Sequence, residues 1–265
     1  RGEDQDFYDY WIDRFDPGMT AERIEQIFTP LRTELKPLVE EILDSPVKPD
    51  PSIFRSFPVE AQREFLVEVV TAMGFDFQRG RIDSAVHPFC GGHSVDTRMT
   101  TRYDPDNPLD SWSSAMHETG HALYQQGLPA KYSGTALGEP VGMAVHESQS
   151  RIWENQIGRS RAFWKFWETR YRELFPGQLA NVDSEALFLA INRVALTPIR
   201  VDADEVTYNL HIMLRFELEK QLISGELDPA NLPEAWNTRS TEILGYTPKN
   251  NREGCLQDVH WAEGM

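Results

Sequence analysis

The chain has 265 residues, 40% of them hydrophobic and 26% charged, an ordinary globular balance with enough apolar material for one large domain. Its 26 Lys and Arg against 42 Asp and Glu give a formal charge of −16, which argues against nucleic acid, whose phosphates need a clustered basic face. Two cysteines, Cys90 and Cys255, are too few for a disulfide framework and read as reduced. With no long apolar run and no signal-peptide core at the first residues, the expected setting is soluble and cytoplasmic.

In chain order, the apolar spacing predicts helices over residues 20–43 and 59–73, broken by the proline-rich stretch 45–58. Residues 79–101 alternate and carry β-branched side chains, which predicts a small antiparallel sheet. A helix follows, with Asp110 or Ser111 as N-cap, Trp112, Ala115, Met116, Ala122 and Leu123 as apolar surface, and Gly127 as a stop. The Gly- and Pro-rich stretch 127–140 predicts a turn. The helical pattern then resumes over 141–157, with Val141, Val145, Ile152 and Trp153 as its apolar positions. Residues 163–174, FWKFWETRYREL, read as packing surface rather than a cofactor box. Residues 201–222 read as a long amphipathic helix with an acidic start.

One pentapeptide stands out: His117-Glu118-Thr119-Gly120-His121. On a helix, positions i and i+4 share a face, so both imidazoles can reach a single metal ion. Glu118 is placed to act as general base on a water held there. A third protein ligand must come from elsewhere, and two antiparallel helices would bring Glu147 beside the pair. His146 is its rival, because successive helical residues point about 100° apart and only one should face the metal. Asp96 and Arg98 read as a buried structural pair or as partners orienting a ligand histidine. Arg200 reads either as a helix-start ion pair with Asp202 or Asp204, or as a fork for a carboxylate. His211 shares a helix face with Tyr208 and Arg215.

Six short motifs occur in order: His87-Pro88-Phe89, DxRxT at 96–100, HExxH at 117–121, HESQ at 146–149, IRxxAD at 199–204 and GxxQDxHW at 254–261. Together they resemble the carboxypeptidase Taq family of metallocarboxypeptidases, peptidase family M32, over nearly the whole chain. The resemblance implies a mainly α fold, a helical metallopeptidase with a deep cleft, beside the small antiparallel β-sheet. It implies a metal held by His117, His121 and Glu147, with Glu118 as general base and removal of single residues from peptide C-termini. Arg200 becomes a candidate for holding the substrate's terminal carboxylate, and Gln257 and His260 are implied to line the same cleft. His260, His211 or Tyr208 would serve as oxyanion donor. Zn2+ is the expected ion, with Co2+ as another divalent candidate.

The expected partners are peptide substrates, with no nucleic acid and no membrane; homodimerisation stays open. The whole chain, 1–265, is expected to form a single catalytic domain, with 1–86 as an N-terminal helical segment and 87–265 as the motif-bearing core. Family members are much longer, so the chain is expected to be an unusually short member or a fragment. Two other readings stand beside the carboxypeptidase: a metallo-endopeptidase or oligopeptidase, and a metal-binding remnant acting through a partner protein.

Overall fold

The structure is a computed structural model and describes residues 6–257. Among the described residues the α-helices are α1 (Phe7–Phe15), α2 (Ala21–Asp44), α3 (Val59–Met73), α4 (Pro108–Gly127), α5 (Met143–Arg151), α6 (Arg161–Leu174), α7 (Ser184–Ile191), α8 (Tyr208–Ser224) and α9 (Leu232–Leu244). The strands are β1 (Gly80–Ser84), β2 (Cys90–His93) and β3 (Asp96–Thr101), and a π-helical segment, Ile152–Ile157, continues directly from α5. The fold is mainly α, as expected. No helix among the described residues is long and apolar enough to cross a membrane. The chain divides into two compact units, 49–193 and the described parts of 1–48 and 194–265.

In the 49–193 unit, α3 has the bounds its sequence predicts and is closed by Gly74 in the left-handed region, φ 105°. Helix α4 starts earlier than expected, at Pro108 after Asn107. Proline's fixed φ suits a first helical position, and the two residues expected to cap are committed elsewhere. Asp110 accepts from Arg102 Nε at 2.6 Å, and the buried Ser111 hydroxyl donates to Gln62 Oε1 at 2.8 Å. Trp112, Ala115 and Met116 enter an aromatic core with Phe57, Phe65, Trp164, Tyr171 and Phe175. Burying each of the larger side chains contributes about 1.5–3 kcal/mol. Within α6, Phe163, Trp164 and Tyr171 are buried while Phe166 is exposed, so the aromatic segment packs as read. Ala122 turns the other way, onto Met99 of β3, with Val70 and Phe75.

The sheet is mixed, not antiparallel. Its order is β1-β3-β2, with β1 parallel and β2 antiparallel to β3. The chain reverses twice, once through 85–89, which carries His87-Pro88-Phe89, and once in the tight turn between His93 and Asp96. Two reversals return β3 to the direction of β1 and leave it central.

Helix α5, which carries Glu147, also departs from expectation. It begins at Met143; of the expected apolar positions Val141, Val145 and Ile152 are exposed, while Trp153 in the π-helical continuation packs on the aromatic core. Small residues dock α5 itself. A Cβ on Gly120 of α4 would lie 2.5 Å from Ser150 Cα and 2.6 Å from the Gln149 carbonyl oxygen. Only a glycine lets the two backbones approach this closely.

In the other unit, α8 packs Leu210, Met213, Leu214 and Leu218 against Val39, Trp236, Ile243, Leu244 and Cys255. Its buried residues 210, 211, 213–216 and 218 run right around the helix, so it is a core helix rather than the amphipathic one expected. Asp204 fixes its start, accepting from the Val206 and Thr207 amides at 2.9 and 3.0 Å and from the Ala195 amide at 3.0 Å. Tyr8 of α1 donates to Glu219 at 3.0 Å, and Arg32 of α2 pairs with Glu217.

Candidate metal centre

His117 and His121 lie one turn apart on α4, with side chains 20% and 11% exposed and their Nε2 atoms 3.2 Å apart. Glu147 of α5 brings Oε2 to 3.6 Å from His117 Nε2 and Oε1 to 3.6 Å from His121 Nε2. Three tetrahedral ligand atoms each about 2.0–2.2 Å from one ion sit roughly 3.3–3.6 Å from one another. The two 3.6 Å separations involve different oxygens of Glu147, and one donor atom from each of the three residues lies within 4.8 Å of the others, so two imidazoles and a carboxylate gathered here fit a borderline-soft divalent metal. The remaining ring nitrogens are engaged behind the site. His117 Nδ1 lies 2.9 Å from Glu154 Oε2, and His121 Nδ1 lies 2.7 Å from His146 Nδ1. His146 thus stands behind His121, packed against the Tyr124 ring, and is not part of the group formed by His117, His121 and Glu147. Ser150 Oγ donates to Glu147 Oε2 at 2.8 Å.

The 194–257 region gathers a second set of residues singled out in the sequence. Gln257 accepts through Oε1 from the Arg200 amide at 2.8 Å and from Arg215 Nη2 at 3.1 Å, and donates to the Pro198 and Glu253 carbonyls at 2.8 and 2.7 Å. Arg200 Nη1 donates to the Tyr208 hydroxyl at 2.8 Å, and Arg215 Nη1 to the His211 carbonyl at 2.9 Å. Asp204 spends its carboxylate on the turn before α8. His211 is 1% exposed, and neither ring nitrogen has a hydrogen-bond partner of good geometry among the described residues. Burial, then Arg215 and Arg200, depress its pKa to about 3; the Thr197 backbone pulls the other way without offsetting them. His260 lies outside the described residues.

The family profile described as carboxypeptidase Taq (M32) metallopeptidase matches residues 1–265. The chain belongs to this M32 family. It is 47% identical over 262 residues to thermostable carboxypeptidase 1 of Thermus thermophilus, covering 98% of this chain and 51% of that protein. To carboxypeptidase 1 of Bacillus subtilis it is 41% identical over 259 residues, covering 97% and 52%. The crystal structure of an M32 carboxypeptidase from Deinococcus radiodurans superposes with a TM-score of 0.92 at 44% identity, covering 96% of this chain and 51% of that one. The chain spans about half the length of the curated relatives it matches.

Charges at the M32 centre set one another's protonation. Burial raises the Glu118 pKa above the ordinary carboxylate value, against the pull of His117 and His121. Burial would raise Glu147 too, but the hydrogen bond and charge of His121 and His117 outweigh it and hold the carboxyl at about 2. Glu154 is likewise held at about 2, with burial outweighed by His117, Arg151 and Ser113. His117 is raised above the usual histidine value: burial opposes its charge, and Glu154, Glu147 and Glu118 favour it. Cys90 of β2 is pushed up to about 12 by burial and by Glu118.

Asp96 and Arg98 form a fork, at 3.1 and 2.8 Å, but on the exposed face of β3 and not buried. They do not back His117 and His121, whose Nδ1 atoms are taken by Glu154 and His146. Sequence reading missed Glu154. The available signal was its place seven residues after Glu147, nearly two helical turns and so on the same face.

Proposed function

We propose that the chain carries the catalytic centre of a zinc-dependent metallocarboxypeptidase, with Co2+ as another divalent ion it accepts. The observation that supports this best is the convergence of donor atoms of His117, His121 and Glu147 within 4.8 Å of one another, with the buried Glu118 next in sequence to His117. When bound, the ion supplies Lewis-acid polarisation of the scissile carbonyl and a lowered pKa for the attacking water. Glu118 takes the proton from that water and returns it to the leaving amine nitrogen. Its raised pKa suits both halves of that task, because it holds a proton more readily than an exposed carboxylate does. His117 and His121 offer imidazole nitrogens, and Glu147 offers a carboxylate that stays ionised.

Exopeptidase action needs a fixed cation for the substrate's terminal carboxylate, and Arg200 is the residue we assign to it. Its support is the IRxxAD motif and a guanidinium already steered by Tyr208. Gln257 holds the Arg200 backbone, while Tyr208, His211 and His260 are assigned to substrate binding or to donation toward the developing oxyanion. The test is digestion of one peptide with a free and with an amidated C-terminus. Stepwise loss of residues from the free peptide alone supports the carboxypeptidase. Equal cleavage of both, or internal cleavage, replaces it with an endopeptidase.

A further inference from the structure

We propose that Glu154 is a positioning residue for the metal ligand His117, fixing which of its nitrogens carries the proton; this rests on the metal centre proposed above. An ionised carboxylate can only accept, so Glu154 Oε2 at 2.9 Å places the imidazole proton on Nδ1. The lone pair is then left on Nε2, the nitrogen that faces Glu147 and His121. Glu154 is itself held. Ser113 Oγ donates to its Oε1 at 2.6 Å and Arg151 Nη1 to its Oε2 at 2.7 Å, so the carboxylate cannot swing away from the ring. Its side chain is 12% exposed against 45% for Glu147, which shields the contact from competing water.

The backbone supports the same reading. Glu154 sits in the π-helical segment Ile152–Ile157, a rare turn that tends to mark functional sites. Two glycines allow the close approach to α4. A Cβ on Gly120 of α4 would lie 2.5 Å from Ser150 Cα, just before the segment, and one on Gly158, just after it, would lie 3.0 Å from Trp112 Cζ2 of α4. The close approach that delivers Glu147 to the Nε2 side of His117 also delivers Glu154 to its Nδ1 side. His121 is backed differently, by the imidazole of His146.

The experiment compares wild type, Glu154→Gln and Glu154→Ala as full chains. Zn2+ affinity is measured by competition with a chromophoric chelator, together with the visible spectrum of the Co2+-loaded protein and the melting of the metal-free protein. Glu154→Ala should weaken Zn2+ binding roughly 10- to 100-fold and alter the Co2+ bands. Glu154→Gln should lose less, because its amide oxygen still accepts from Nδ1–H. Wild-type affinity and an unaltered Co2+ spectrum in Glu154→Ala would overturn the proposal, whatever happens to its melting temperature. If Glu154→Ala does not fold, the shape-preserving Glu154→Gln decides: weakened binding with an altered spectrum supports the assignment, and wild-type behaviour rejects it. Failure of the metal centre itself looks different, since wild type would then take up no Zn2+.

Discussion

His117 on α4 is half-buried and His211 on α8 is buried; both sit on long helices, and their surroundings are opposite in charge. His117 is flanked by Glu154, Glu147 and Glu118, and both its nitrogens face carboxylate partners. His211 is flanked by Arg215 and Arg200, and neither nitrogen has a partner of good geometry among the described residues. Carboxylates around an imidazole favour positive charge in its place, which is what a metal ion brings. Arginines around an imidazole exclude a second cation and keep the ring neutral. The difference separates two environments that a residue list alone would not: one suited to a cation, the other to a neutral ring beside two arginines.

The largest expected effect lies at the carboxylate-rich centre. Glu118→Gln preserves shape and leaves the three ligand atoms in place but cannot accept a proton. Turnover should fall by roughly 10²- to 10⁴-fold while metal content stays at the wild-type level. Near-normal kcat in the metal-replete variant would remove Glu118 from its role as base.

A smaller effect distinguishes the two histidines by pH. His211 has a folded-state pKa of about 3, whereas an unfolded chain titrates near 6.5. As pH falls below that unfolded value the unfolded chain takes up the proton first. Stability is therefore untouched above it and lost progressively below it, by up to about 1.4 kcal/mol per pH unit. His117 in the metal-free protein has the other sign. Its raised pKa contributes stability that is present at low pH and is lost as pH rises through the folded value. Urea midpoints of the metal-free protein across pH should thus show a steeper acid-side loss in wild type than in His211→Gln. Identical slopes would break the comparison.

The sequence made the two regions unequally legible, for physical reasons. The HExxH spacing needs only the helical period, so the shared face of His117 and His121 follows from a single element. The bounds of α3 and the aromatic packing of α6 follow from equally local patterns. Glu154 escaped notice because a charged residue two turns beyond a ligand looks the same as a solvated face. The helical stretch after the turn was legible, but three of its four expected apolar positions are exposed, because α5 docks through the contact of Gly120 with Ser150 and only Trp153, in its continuation, packs on the core. The parallel pairing of β1 with β3 depends on two chain reversals, not on alternation. The cluster on Gln257 joins residues 57 and 42 positions apart, and no short-range pattern encodes it.

The central claim is that Glu147, and not its neighbour His146, completes the ion site with His117 and His121. Metal content per chain, measured after equilibration with a modest excess of Zn2+ for wild type, Glu147→Ala and His146→Ala side by side, tests it most directly. Glu147→Ala should fall far below one ion per chain, while His146→Ala, which loses only the support behind His121, should stay near wild type. Stoichiometric metal in Glu147→Ala with loss in His146→Ala would contradict it.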